Sequence, residues 1–304
     1  MPVVDSWKQY KYRNLWQHPL WAEFQRACGQ KVWRLEKKEA LATVVRHVMP
    51  FGLCWLEVPR GPLFKTEEAF AEIMQEIEAL GKKQRAVFIR FSSYQELPDM
   101  RLAPCNLDHH PQTSLVIDLS LPEEGILAQM KPKGRYNIKV ADKHNIKVES
   151  ADDIEAFYQL LSKTSNRDGF GIHPKEYYAN MLSGLGQYGQ LLVARYEDRI
   201  IAGGLFVYLD EWGIYYYGAS DHHYRNLMAP YLVQWTAIKE AKARGCRYYD
   251  FLGIAPEGTR NHAWAGVTEF KKKFGGKVVT YSKARDLILR PFWYTLYKLR
   301  KGSA

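Results

Sequence analysis

Between Tyr215 and Gly276 the hydrophobic period changes three times, and few folds accommodate that order. Tyr215-Tyr216-Tyr217-Gly218-Ala219-Ser220 reads as the end of a strand. Met228 to Arg244 reads as an amphipathic helix, because Leu227, Tyr231, Trp235 and Ile238 recur at helical spacing. Lys239, Lys242 and Arg244 gather towards its C-terminus, and Gly245 is the stop. A short apolar strand, Tyr248 to Gly253, follows, and then Glu269 to Gly276, a basic turn set between Phe270 and Phe274. Strand, helix and strand in succession bring an acid, Asp250, to the place where an α/β sheet ends and a site can be built.

Upstream, helices alternate with short strands. Gln17-His18-Pro19-Leu20-Trp21 begins a helix that Gly29 ends; strands follow around Val32–Leu35 and Ala42–Met49. Pro59-Arg60-Gly61-Pro62 is a rigid loop, Glu67–Lys83 a helix and Ala86–Phe91 a buried strand. After a strand at Leu115–Ser120 the chain starts over: a helix over Pro122–Lys131 capped by Ser120, a basic segment at Lys133–Lys139, a strand at Asn145–Val148 and an amphipathic helix over Asp152–Ser165. Leu191–Tyr196, Ile200–Leu209 and Trp212–Tyr217 form an antiparallel meander. Between Ala179 and Leu191 the residues read as turn. Meander, helix, strand is the order of a Gcn5-related acyltransferase fold, and two such units in tandem account for 304 residues. The expected organisation is therefore α/β (α+β), with domains at 1–120 and 121–286. A basic aromatic helix at 287–304 is expected to pack back on the first domain or to lie on an acidic membrane surface.

Composition narrows the partners. With 43 Lys plus Arg against 33 Asp plus Glu, the formal charge of +10 favours an anionic partner, although solubility alone also accounts for it. No run of about 18 apolar residues exists, and Met1–Asp5 lacks a charged region followed by an apolar one, so a cytoplasmic protein without a leader is expected. Cys28, Cys54, Cys105 and Cys246 are widely spaced, which favours reduced thiols over a disulfide framework or zinc site. Histidines occur as adjacent pairs, His109-His110 and His222-His223. Neighbours on a helix or strand point apart, so neither pair is expected to bind metal.

Taken in combination, several motifs resemble the Fem-type family of peptidoglycan bridge aminoacyltransferases: the P-R-G-P loop, the segment Lys131-x-Lys133-Gly134-Arg135-Tyr136-Asn137-Ile138-Lys139 completed by Ala141, the run from Gly218-Ala219-Ser220 through Tyr249-Asp250-Phe251, and Phe270-Lys271-Lys272-Lys273-Phe274-Gly275-Gly276. With no room for a coiled-coil arm, the chain looks like the compact, FemX-like form. The resemblance implies transfer of an amino acid from aminoacyl-tRNA, as co-substrate and without further cofactor, to the stem-peptide amine of a UDP-linked or lipid-linked muropeptide, by a monomer. Phe270 and Lys271 match the family's F-K pair, whose lysine is implicated in transfer; a fixed ammonium there can stabilise an acyl-transfer oxyanion. An arbitrary lysine triplet is otherwise a solvated basic face. The resemblance also implies that Arg167, His173, Tyr177, Tyr217 and Asp250 bind the acceptor. Relatives carry arginine where this chain has His173, which leaves Arg167 and Tyr177 as the better phosphate contacts; Asn166–Gly169 can equally be a turn with a local ion pair. Lys133, Arg135 and Lys139 are the expected tRNA contacts, or else a charged helix surface.

Two rival readings fit the same residues. One is a non-catalytic tRNA- or membrane-binding protein on this fold; the other is an N-acyltransferase with another donor, such as an acyl carrier thioester. Acetyl-CoA is a poor donor, since Arg225-Asn226-Leu227-Met228-Ala229-Pro230 replaces a close-approach glycine by Met228 and removes an N–H at Pro230.

Overall fold

A computed structural model describes residues 7–105, 109–259 and 262–302; Met1–Asp5 lies outside them. In chain order its elements are α1 (Pro19–Ala27), β1 (Lys31–Glu36), β2 (Ala40–Val48), β3 (Cys54–Val58), β4 (Leu63–Phe64), α2 (Glu67–Lys83), β5 (Ala86–Phe91) and β6 (Ala103–Pro104). Then come β7 (Thr113–Asp118), α3 (Glu123–Gln129), α4 (Pro132–Lys143), β8 (Lys147–Ala151), α5 (Ile154–Asp168), α6 (Lys175–Leu185), β9 (Gly189–Tyr196), β10 (Arg199–Leu209) and β11 (Trp212–Ser220). The chain closes with α7 (Ala229–Ala243), β12 (Tyr248–Gly253), α8 (Ala265–Lys271), β13 (Lys277–Thr280), β14 (Arg285–Ile288) and α9 (Pro291–Gly302). Two compact units result: Met1–Gln112 with Tyr281–Ala304, and Thr113–Thr280.

The first unit holds a seven-stranded sheet in the order β1-β2-β3-β5-β14-β6, with β4 on β2. Among the described residues only β3 and β5 run parallel there, joined by the crossover through α2. Thr66 starts that helix by accepting the Ala69 N–H at 3.2 Å, and Phe70, Ile73, Met74 and Ile77 bury one face against Val44, Leu56 and Ile89. The sheet centre also buries an ion pair. Arg90 on β5 donates to both carboxylate oxygens of Asp286 on β14 at 2.9 Å, and Tyr294 adds a hydrogen bond of 2.8 Å to Asp286. Residues 287–288 are thus strand, and the terminal helix begins at Pro291.

The second unit repeats the plan in the order β13-β7-β12-β11-β10-β9-β8, again with one parallel pair, β11 with β12, joined by a helix, α7. Its core joins Phe206, Tyr249, Phe251 and Phe274 with Trp235 and Ile238 of α7 and with Ile126 and Ile138 of α3 and α4.

Several expectations change on contact with tertiary structure. The strand expected at Leu115–Ser120 falls inside the expected first domain, 1–120, yet it forms as Thr113–Asp118, hydrogen-bonded between β12 and β13 of the second unit. The α7 helix is buried nearly all round rather than amphipathic, from Ala229 through Ala241, because it fills the middle of the core. Ser120 does not cap α3, whose N-cap is Pro122; the Ser120 N–H donates instead to Asp118 Oδ1 at 2.9 Å. The stretch after Ala179 continues as α6 to Leu185, held by buried Tyr178, Met181 and Leu185. Among the described residues no helix is long and apolar enough to cross a membrane, and no disulfide joins any of the four cysteines.

Candidate active site

The parallel partners β11 and β12 pair only from Trp212–Tyr248 to Ile214–Asp250, after which each continues apart, to Ser220 and Gly253. Both are irregular where they separate. On β11 one extra residue, Tyr216, intervenes between the pairs Leu205–Tyr217 and Phe206–Tyr215. On β12 the register against β7 slips between Asp250 and Gly253. Leu252 stands there at φ 54, a left-handed backbone that a leucine seldom adopts. Asp250 holds this bulge, since its Oδ1 accepts the Leu252 N–H at 2.7 Å and the Ser114 hydroxyl. Bulges of this kind re-aim groups at the ends of strands. Here the Gly253 carbonyl is turned to accept a hydrogen bond from Lys271 Nζ at 2.7 Å.

Lys271 therefore links the two diverging strands. Its ammonium bonds to Gly253 of β12 and lies 5.7 Å from the Tyr215 ring centroid of β11. The residue is only 7% exposed. Burial lowers its pKa to about 8, with the attraction of the Asp250 carboxylate opposing that fall. Phe270 and Phe274 sit beside it in a packed aromatic group with Tyr231, at centroid distances of 5.0 and 5.7 Å from that ring. The other lysines of the triplet are half-buried, and Lys273 donates to the Tyr231 hydroxyl at 3.2 Å. The turn that follows depends on glycine. Gly275 and Gly276 have φ of 78 and 87, and added Cβ atoms would lie 2.5 Å from the Gln129 carbonyl and 2.6 Å from that of Val116.

A second group forms where α6 meets β11. His173 stacks on Tyr177 at 3.9 Å, and Tyr217 donates to the Tyr177 hydroxyl at 3.4 Å. Burial lowers the His173 pKa, which leaves a neutral ring as the favoured form, and raises that of Tyr217, which stays a phenol. Arg167 is at the end of α5, where its fork grips its own neighbour, Asp168, with two bonds of 2.7 Å and reaches the Ser220 carbonyl at 3.2 Å. A phosphate at Arg167 has to displace Asp168. Lys271 with Asp250, and His173 with Tyr177 and Tyr217, are thus two groups that share strand β11 through Tyr215 and Tyr217.

On α4, Lys133 and Lys139 are exposed together with Tyr136 and Lys143, a basic outer face. Arg135 is half-buried and donates instead to the Met130 and Ala128 carbonyls that end α3. Gly134 lets this helix touch the lysine turn, because a Cβ there would lie 2.4 Å from the Lys273 carbonyl. Sequence reading missed Ser114, the Gly253 carbonyl and Tyr215. Only the last carried a signal, as the first tyrosine of a triplet; the others are set by the bulge.

The model of the FemAB family matches residues 100–197 and 187–301. Aminoacyltransferase FemA of Staphylococcus epidermidis is 31% identical over 105 residues, 33% of this chain and a quarter (25%) of that one. The lipid II:glycine glycyltransferase of Staphylococcus aureus is 19% identical, with 95% of this chain and 91% of that one covered. A crystal structure of FemX superposes with a TM-score of 0.85 at 17% identity, covering 96% of this chain and 97% of that one. A tandem Gcn5-related acyltransferase from clavulanic acid biosynthesis gives 0.50 at 8% identity over 84% and 81%. The fold is accordingly a mixed α/β tandem of acyltransferase-like units.

Proposed function

Since the chain belongs to the FemAB family, we propose that it is an aminoacyltransferase that joins an amino acid, taken from aminoacyl-tRNA, to the stem-peptide amine of a muropeptide precursor. The observation that carries this reading is the buried Lys271 ammonium at the mouth between β11 and β12, with Asp250 close enough to act on its charge. The names of the staphylococcal relatives, an aminoacyltransferase and a lipid II glycyltransferase, support the same chemistry.

The tRNA ester is already activated, so the protein needs chiefly to position the amine and stabilise charge. The amine attacks the ester carbonyl, and a tetrahedral oxyanion forms beside Lys271. Its collapse forms the amide, expels the ribose oxygen and passes the amine's proton to that oxygen. With a pKa lowered only to about 8, Lys271 stays mostly charged at pH 7, as an oxyanion partner must be. Tyr217, Tyr177 and His173 offer a stacked, hydrogen-bonding wall for the acceptor. Lys133 and Lys139 offer exposed cations to tRNA phosphates.

The terminal helix bears on the source of the acceptor. Its Tyr294 side is buried, while Phe292, Leu296 and Leu299 form an exposed stripe at i, i+4, i+7 beside Lys298 and Arg300. Phe51, 86% exposed, touches Trp293 at 5.9 Å and extends the patch. Apolar side chains among cations favour an anionic membrane and thus a lipid-linked acceptor. The deciding assay supplies charged tRNA with either UDP-linked or lipid-linked muropeptide. Amide formation with one of them is expected, and no product with any charged tRNA would remove the proposal.

A further inference from the structure

The first unit contains a polar cluster that aminoacyl transfer does not use. Its base is the β2–β3 ladder, where Val45 pairs with Glu57 and His47 with Trp55. Residues two apart on a strand share a face, so His47 and Glu57 are diagonal neighbours. His47 Nε2 is 2.7 Å from Glu57 Oε2. From the loop before β7, His109 Nδ1 and His110 Nε2 approach the other oxygen, Oε1, to 3.8 and 3.3 Å. Adjacent histidines point apart on a helix or strand. His109 and His110 lie in a bend, so both turn to one carboxylate.

This arrangement is more than an ion pair. Glu57 is 5% exposed, and beyond the His110 nitrogen at 3.3 Å its buried Oε1 has no hydrogen-bond partner among the described residues, which is costly for a carboxylate oxygen unless a cation completes it. One donor atom each from His47, Glu57 and His109 lie within 4.8 Å of one another. Ligands about 2.0–2.1 Å from a tetrahedral metal stand about 3.4 Å apart. Reaching that spacing means closing the 3.8 Å between His109 and Glu57 and opening the 2.7 Å between His47 and Glu57, within reach of His109, whose side chain is 50% exposed and sits on a loop, and of His47 at 27%. Trp55 fixes the imidazole planes, stacking on His47 at 4.0 Å and meeting His109 edge-on at 5.0 Å. Two imidazole nitrogens and a carboxylate oxygen suit a borderline metal such as zinc rather than calcium or magnesium.

We propose that His47, Glu57 and His109 form a binding site for a zinc-class divalent cation, with His110 as the group that orients Glu57. The metal ties the 109–110 loop to the first sheet, and its open position faces solvent on the side of His109.

The test uses the full chain without a histidine tag, stripped with chelator and titrated with zinc against a chromophoric competitor. One equivalent is expected to bind the wild type tightly, with cobalt giving the visible absorption of a tetrahedral nitrogen–oxygen site. His47→Ala and His109→Ala should each weaken binding about 100-fold or more, and His110→Ala about tenfold, as an orienting partner does. His223→Ala, at the other adjacent pair, should change nothing. The two key histidines are partly exposed, so their variants keep their fold even if Glu57→Gln does not. Absence of one-equivalent binding, or equal affinity in wild type and the His47→Ala/His109→Ala double variant, would overturn the site.

Discussion

Lys271 makes its hydrogen bond to a carbonyl, not a carboxylate, so its charge stays available to a reacting group. Loss of such a contact typically costs about 100-fold in turnover, and Lys271→Ala should show that loss in kcat with the fold intact by circular dichroism. Lys272→Ala and Lys273→Ala should cost far less, because those side chains are half-buried elsewhere on the turn; equal losses at all three would reduce the motif to a basic face. The pH profile separates two roles for the same atom. As an oxyanion partner Lys271 acts protonated, so turnover should fall as pH rises through about 8; a rise there would make it a base. Stability should move the other way. The folded lysine releases its proton near pH 8 and the unfolded one near its ordinary value of 10.5, so in that window the unfolded chain holds more protons and stability rises with pH. Lys271→Met should abolish that rise, as read from urea midpoints at pH 8 and 10.

At the scale of elements, α4 and the lysine turn are locked together through Gly134. Replacing a helical glycine by alanine ordinarily stabilises by about 1 kcal/mol. Gly134→Ala should have the opposite sign, lowering the thermal midpoint, because its Cβ would lie 2.4 Å from the Lys273 carbonyl and the helix must back away. A stabilised Gly134→Ala variant would show that the two elements are free to separate. The elements themselves were legible in the sequence wherever a period repeats: the meander, the crossover helix and the strand bearing Asp250 all lie where alternation and helical spacing put them. What lay beyond reach was set by other parts of the chain. The burial of α7 on every side depends on what packs around it, the pairing of Thr113–Asp118 on strands over a hundred residues away, and the turned Gly253 carbonyl on a one-residue slip. Arg167 shows the same limit at a site, since its phosphate-shaped fork is met by Asp168, which a sequence pattern treats as a turn residue.

Over the whole molecule the +10 charge has a measurable signature. If tRNA phosphates account for it, affinity for charged tRNA should fall about tenfold or more between about 50 and 200 mM salt, whereas a flat response would leave solubility as the reason. The apolar stripe of α9 predicts a separate behaviour: co-sedimentation with vesicles containing an anionic lipid, lost in a Phe292→Ser/Leu299→Ser variant and weak on neutral vesicles. The sheet orders also fix when each unit can be finished during synthesis. Domains usually fold from the N-terminus as the chain emerges. Here β14 stands between β5 and β6, so the first sheet has a gap until residues 285–288 are made. Until then Arg90 lacks the Asp286 carboxylate that its Nε and Nη2 grip in the finished core. The second unit, complete at Thr280, needs no later residue. The first sheet is therefore closed by the last strand of the chain: every other strand in it is made by Pro104, and it cannot be completed until residues 285–288 are added.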